Sequence, residues 1–210
     1  ELPGKLNLAV LPHTPHGRRL AEAGHSAGKE IMLHAPRSNH GGIDLGLGGL
    51  TPTLSREEFD LALNAAIDDI PHLRGINNHM GSRFTRDLAG MRVVMAELKA
   101  RGLFFLDSVT SRDSVGSRAA REAGVPYASR DIFIDHKDEM DFVMKQLDKT
   151  AARARKQGIA IAIGHPRDIT LRVLKAWIPK VLEQGFELVG ISRVLHRPRP
   201  AHSGTAGTSG

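Results

Sequence analysis

Short apolar runs alternate with longer amphipathic segments along most of this 210-residue chain. Short apolar runs bounded by Gly, Pro or charged residues indicate strands, and apolar residues that recur every three or four positions indicate helices. Strands that alternate with helices predict an α/β domain built on a parallel sheet. The runs LFFL and IAIAI are apolar throughout, as in strands covered on both faces. Strands or extended segments are predicted at residues 6–12, 29–34, 73–77, 103–108, 125–135, 159–164 and 186–192.

Helix signals separate these strands. Ser55 and Glu58 have the spacing of a capping box ahead of an amphipathic segment. Pro179 lies inside the last helical segment and is expected to kink or split it. No glycine-rich phosphate-binding loop follows any strand, which disfavours a Rossmann-type nucleotide site. Helices are predicted at residues 16–28, 55–70, 86–102, 114–124, 138–158 and 170–185.

The alternating pattern predicts one domain over residues 1–195. Residues 196–210 have the composition of a disordered tail. The glycine-rich segment 35–54 is long for a connection in such a fold, and we expect it to form a loop that gates a cleft.

Composition limits the partners and the chemistry. The chain has no cysteine, which excludes disulfides and thiolate metal ligands. Its net charge of +6 permits an anionic partner, yet the basic residues are scattered and only one Tyr and one Trp could stack on bases. A nucleic-acid role is therefore disfavoured. No run of about 18 apolar residues is present, so no membrane span is predicted, and no signal peptide is visible.

Polar side chains directly follow several of the predicted strands. In parallel α/β folds, ligands bind at the carboxyl ends of the strands, where residues distant in sequence converge. We therefore expect these side chains to share one pocket. They are His34, Asn77, Asn78, His79, Asp107, Ser108 and His165.

Each of these residues also has a purely structural interpretation. His34 can cap a turn, His79 and His165 can be hydrogen-bonded histidines, and Asp107 can brace a loop. Two imidazoles and a carboxylate, however, are what a hydrolytic zinc-type site needs, with positions left for water and a substrate oxygen. A further histidine would then serve as general acid, oriented by an aspartate.

Several stretches of the chain, including GINNHMGSRFTRD, RGLFFLDSVTSRDSV and IAIAIGHPRDITLRVLKAWIP, together resemble the divergent polysaccharide deacetylase family of bacterial envelope proteins. The resemblance covers residues 3–195, and its most specific motifs are NNHMGS and AIGHP. It implies a distorted (β/α) barrel of the polysaccharide deacetylase type. It also implies metal-dependent hydrolysis of acetyl groups on cell-envelope carbohydrate, in the periplasm or cell envelope.

The resemblance implies roles for individual residues. His34 and His79 would bind a divalent metal, with zinc as the expected ion; Ser38 stands where the wider superfamily has its second histidine ligand. His165 would be the general acid, and Asp107 would orient or assist it. Asn77, Asn78, Arg83 and Ser108 would contact the substrate.

The chain departs from the family pattern at its start. Family members open with a strand ending in Asp-Asp-Leu-Gly, and this chain begins in what resembles the second strand, so the first strand is expected to be missing from it. Either the sequence is a piece of a longer chain, whose remainder could carry the two acids and a leader or anchor, or the protein lacks the main carboxylates. The first alternative favours an enzyme. The second favours a non-catalytic glycan-binding or scaffold domain that retains the deacetylase fold.

Overall fold

A five-stranded parallel sheet forms the centre of the fold in the computed structural model, which describes residues 2–37, 55–80, 84–109 and 113–195. A separate parallel pair continues beyond its last strand. The large sheet has the order β1 (Asn7–Val10), β2 (Glu30–Arg37), β3 (Leu73–Met80), β4 (Phe104–Asp107) and β5 (Tyr127–Ser129). The pair consists of β6 (Ile132–Phe133) and β7 (Ala162–Ile163). Most of the predicted gating loop and the predicted tail lie outside the described residues.

The helices confirm the predicted alternation. Ser55 and Glu58 make the predicted capping box, since each side chain accepts a hydrogen bond from the other residue's backbone N–H. Helices connect the strands as α1 (Gly17–Ser26), α2 (Arg56–Asp69), α3 (Leu88–Ala100), α4 (Gly116–Ala123), α5 (Met140–Gln157), α6 (Asp168–Glu183) and α7 (Ile191–Leu195), with a 3₁₀ turn at Phe84–Arg86.

The expected split at Pro179 does not occur, because α6 runs without a break through this residue. Proline removes one backbone hydrogen bond from the helix interior. Buried side chains on both sides of it, Ile178 and Val181, anchor the helix to its neighbours. Tertiary packing therefore outweighs the local preference for a break.

The predicted strand at 186–192 is wrong. Residues 186–190 have no regular secondary structure, and the next residues form α7. At this point the backbone N–H groups donate to side-chain oxygens rather than to the carbonyls of a neighbouring strand. Ile191 N–H donates to Asn7 Oδ1 at 3.1 Å, and Ser192 N–H donates to Glu30 Oε1 at 3.1 Å. The run is apolar because its side chains pack into two different cores, not because it belongs to a sheet.

Two hydrophobic cores cover the two faces of the large sheet. Phe105 packs with the apolar faces of α1 to α4, whereas its neighbours Phe104 and Leu106 pack with Ile161 and Ile191 on the other face. The alternation follows from the two-residue period of a strand. The prediction of a strand covered on both faces is therefore confirmed for LFFL. It is wrong for IAIAI, where β7 is two residues long and Ala162 is exposed.

Strand register places the polar residues in one row. His34 lies opposite Asn77 across β2 and β3, and Asp107 lies opposite Ser129 across β4 and β5. The backbone links this row to the smaller sheet, since Arg130 N–H donates to the Asp107 carbonyl at 2.9 Å and the next residue's N–H donates to the Ile161 carbonyl, just before β6 and β7 begin. We call this edge, formed by the carboxyl ends of β2 to β7, the rim.

Candidate active site

Three side chains from three strands are linked at the first part of the rim. His34 Nδ1 lies 2.9 Å from Asn77 Oδ1, and Asn77 Nδ2 donates to Ser108 Oγ at 3.2 Å. An amide oxygen only accepts hydrogen bonds, so the proton of a neutral His34 ring sits on Nδ1. Asn77 and Ser108 are buried, and His34 is half-buried. The asparagine thus fixes both the ring orientation and the tautomer of His34.

A second set of hydrogen bonds shapes the turn after β4. The buried Asn78 accepts from Ser108 N–H at 2.8 Å. Both oxygens of Asp107 are used, since Oδ1 accepts from Val109 N–H at 2.8 Å and Oδ2 accepts from Ser114 Oγ at 2.6 Å. Val109 has φ of 49°, which is unusual for a β-branched residue and marks a strained turn. Asp107 therefore braces this turn.

Arg130 connects the turn to the second part of the rim. Its Nε donates to the Ser108 carbonyl at 2.7 Å, and its Nη2 donates to the Val109 carbonyl at 3.0 Å. The guanidinium carbon lies 5.4 Å from the centre of the Phe133 ring. The edge of that ring meets His165, with the two ring centres 5.4 Å apart. One arginine and one phenylalanine thus join the two halves of the site.

The second half of the rim centres on an aspartate–histidine pair. Asp135 is fully buried, and its Oδ1 lies 3.2 Å from His165 Nδ1. Its Oδ2 accepts hydrogen bonds from the backbone N–H of His165 at 2.6 Å and from Thr170 Oγ1 at 3.0 Å. The His165 side chain is 45% exposed. Gly164 allows this close approach, because a Cβ there would lie 2.6 Å from Ile134 Cγ1. The result is a fixed imidazole with one open side.

The structure brings most of the predicted site residues together on the rim, in two linked groups. The carboxylate that faces His165 belongs to Asp135, whereas the sequence points to Asp107 for that role. Asn77 and Asn78 use their amides on protein groups, and their predicted contact with substrate stays a prediction. The prediction for Arg83 falls outside the described residues, as does the side chain of His79, whose backbone lies at the end of β3.

The donor atoms of the described residues do not by themselves form a metal site. Within the ranges given above, no group of three His, Asp or Glu side chains is placed to hold an ion. A zinc site in a hydrolase commonly needs about three protein ligands. His34 supplies one imidazole on the rim, and the Asp107 carboxylate is occupied by the turn that it braces. The described residues thus supply only part of a ligand set, and the side chain of His79 lies outside them.

The comparison that decides the family covers nearly the whole chain. The model of the divergent polysaccharide deacetylases matches residues 1–195. The chain belongs to this family. It is 36% identical over 198 residues to the uncharacterized protein YibQ of Escherichia coli, a match that covers 94% of this chain and 62% of the relative. An uncharacterized Haemophilus influenzae protein is 35% identical over 193 residues, covering 92% of this chain and 69% of that protein. The chain thus spans less than two thirds of YibQ.

A solved structure shares the fold of this family member. The crystal structure of an uncharacterized protein from Agrobacterium tumefaciens matches with a TM-score of 0.88 and 25% identity, covering 92% of this chain and 79% of that chain. The predicted α/β fold of the polysaccharide deacetylase type is confirmed by this match and by the family model. Among the described residues, none of the helices has the length and apolar character needed to cross a membrane.

Two residues of the site were not found by sequence reasoning. Asp135 lies within a segment recognised only as extended, and Arg130 precedes it by five positions in the same segment, SRDIFID. A signal was present, because Asp135 follows the apolar residues of β6 as Asp107 follows those of β4. The shortness of β6 conceals that parallel in the sequence.

Proposed function

We propose that this family member is a hydrolase that removes acetyl groups from cell-envelope carbohydrate, and that it works in the periplasm or cell envelope. The observation that supports this best is the pair formed by Asp135 and His165. A fully buried carboxylate holds one side of an imidazole whose ring is 45% exposed on the rim. General acid and base groups in enzymes are commonly held in this way.

The pair fixes where a proton can be exchanged. An ionised carboxylate only accepts hydrogen bonds, so the Asp135 contact requires the proton of a neutral His165 ring on Nδ1. Nε2 has no hydrogen-bond partner within the described part of the chain. Nε2 is then the unprotonated nitrogen, and it accepts a proton from the water that adds to the acyl carbon. It passes this proton to the nitrogen or oxygen that leaves as the acyl bond breaks, so that the products are an acid and an amine or alcohol.

His34 and His79 are the residues proposed to hold a divalent metal, with zinc as the expected ion. Such an ion, when bound, polarises an acyl oxygen and lowers the pKa of bound water. Asn77 holds the proton of His34 on Nδ1, so Nε2 is the ring nitrogen with ligand character. The role of this chain's own residues is therefore to orient an imidazole before any ion arrives.

Replacing Asn77 with alanine is expected to weaken zinc binding by about 10- to 100-fold, because partners that orient a ligand imidazole commonly contribute that much. The measurement is a zinc titration against a competing chelator, with Asn64→Ala as control. Asn64 lies on α2 and bonds to Asp60 and Arg101 at the protein surface. Equal zinc affinity in the wild type and Asn77→Ala would contradict the positioning role. Absence of zinc binding in the wild type would contradict the metal proposal itself.

A specific observation favours a second function, a non-catalytic glycan-binding domain. The Asp107 carboxylate, a natural candidate for chemistry at the end of β4, is buried, and each of its oxygens accepts a hydrogen bond within its own turn. The deciding experiment incubates the protein with N-acetylated and O-acetylated glycan oligomers and measures both acetate release and binding. We expect acetate release that is lost in His165→Ala. Binding without acetate release by the wild type would favour the second function.

A further inference from the structure

The guanidinium of Arg130 is held in place by only some of its N–H groups. One on Nε and one on Nη2 donate to the carbonyls of Ser108 and Val109. The Phe133 ring covers one face of the group. The remaining N–H groups, including both on Nη1, have no hydrogen-bond partner among the described residues. They form an end-on fork of the kind that binds a carboxylate through two parallel hydrogen bonds.

In the described part of the chain, Arg130 makes no ion pair. Among residues 2–37, 55–80, 84–109 and 113–195, no carboxylate oxygen lies within ion-pair distance of its guanidinium. Two nearby acids, Asp107 and Asp131, favour the charged form of Arg130. Asp107 accepts hydrogen bonds within its own turn, and Asp131 pairs with Arg153 and accepts a hydrogen bond from Ile161 N–H. Burial lowers the pKa of Arg130, and these two acids only partly oppose that effect. A half-buried guanidinium whose charge is not balanced by an ion pair among the described residues is suited to an anionic ligand.

The position of Arg130 relates it to the proposed chemistry. Phe133 contacts both residues, with its face toward the arginine and its edge toward His165. Arg130 and His165 therefore flank a single aromatic ring on the rim. A ligand that presents an acyl group to His165 would have its neighbouring groups within reach of the arginine.

We propose that Arg130 binds a carboxylate of the glycan on which His165 acts, so that the substrate is an acidic, acetylated glycan. That the ligand is a glycan follows from the proposed function, on which this inference rests. Arginine suits this role better than lysine, since its planar fork matches both oxygens of a carboxylate and is already oriented by the carbonyls of Ser108 and Val109.

The test compares two probes that differ in charge and by one methyl group. One is the disaccharide of N-acetylglucosamine and N-acetylmuramic acid, whose lactyl ether carries a carboxylate; the other is its methyl ester. Titration calorimetry of the wild type is expected to show about 10- to 100-fold tighter binding of the acid than of the ester. Arg130→Gln should abolish this preference while binding the ester as the wild type does. Arg74→Gln removes the same charge from an exposed position at the amino end of β3 and should leave the preference intact.

The outcomes separate this inference from the proposed function. Equal binding of acid and ester by the wild type would overturn the role of Arg130 and leave a glycan hydrolase standing. Failure of the wild type to bind either probe would overturn both. If Arg130→Gln does not fold, Arg130→Lys retains the positive charge without the fork. A reduced preference in that variant would support the proposal, and an unchanged preference would overturn recognition by the fork.

Discussion

Replacing His165 with alanine is expected to lower the rate of acyl hydrolysis by about 10²- to 10⁴-fold, the range that a general acid or base commonly contributes. In the proposed mechanism the ring contacts the substrate on the rim, and in the described structure it makes one side-chain hydrogen bond, to Asp135. Its removal leaves the buried Asp135 Oδ1 without this partner, so the free energy of unfolding is also expected to fall, by about 1–3 kcal/mol. The measurement is kcat for acetate release together with the thermal midpoint of each variant.

Asp135→Asn tests the same pair from the buried side. The asparagine can place its oxygen toward His165 N–H and Thr170 Oγ1, but its NH₂ group then faces Nδ1 and requires the ring proton on Nε2. The wrong tautomer should lower kcat much as the loss of the ring does. His25→Ala, at the other end of the fold in the last turn of α1, should retain the wild-type rate. Full activity in Asp135→Asn would contradict the assigned tautomer.

Sequence periodicity predicts the fold well where strands are paired and helices are amphipathic. The run LFFL alternates between two cores, so its burial on both faces follows from composition alone. The run FELVG has the same apolar character but pairs with no strand of the described residues. Side chains of Asn7 and Glu30 accept hydrogen bonds from the backbone N–H groups that follow it. Apolar composition reports burial, whereas pairing depends on which neighbour is in reach, and the local sequence does not contain that information.

The sequence predicts where the site residues lie in the fold, but not which of them form hydrogen bonds with one another. Residues at the carboxyl ends of parallel strands meet at one edge, and His34 and Asp107 do lie there. Which acid faces which histidine depends on side-chain direction. Asp107 turns back to Val109 N–H, and Asp135, at the end of a two-residue strand, faces His165. Hydrogen-bond partners separated by about 30 positions leave no periodic trace in a sequence.

Replacing Asp107 with alanine is expected to lower the free energy of unfolding by about 1–3 kcal/mol, the range for leaving buried hydrogen-bond donors without an acceptor. The carboxylate is 2% exposed, and its loss leaves Val109 N–H and the Ser114 hydroxyl without their acceptor. Relief of the strain at Val109, which has φ of 49°, offsets part of this loss. Urea unfolding measures the change, and Asp138→Ala, which removes an exposed carboxylate, should differ from the wild type by less than about 0.5 kcal/mol.

Changes in the free energy of unfolding and in kcat, measured for variants of Asp107, also distinguish a bracing role from a catalytic one. A bracing residue destabilises the protein when it is removed, and it lowers kcat only through the displaced turn, so Asp107→Asn should recover part of both by retaining one acceptor oxygen. A catalytic carboxylate would behave differently, because an amide cannot replace its charge. If Asp107→Asn were as stable as the wild type yet lost hydrolysis as completely as His165→Ala, Asp107 would take part in the chemistry, and the hydrogen bonds from Val109 and Ser114 would serve to orient it.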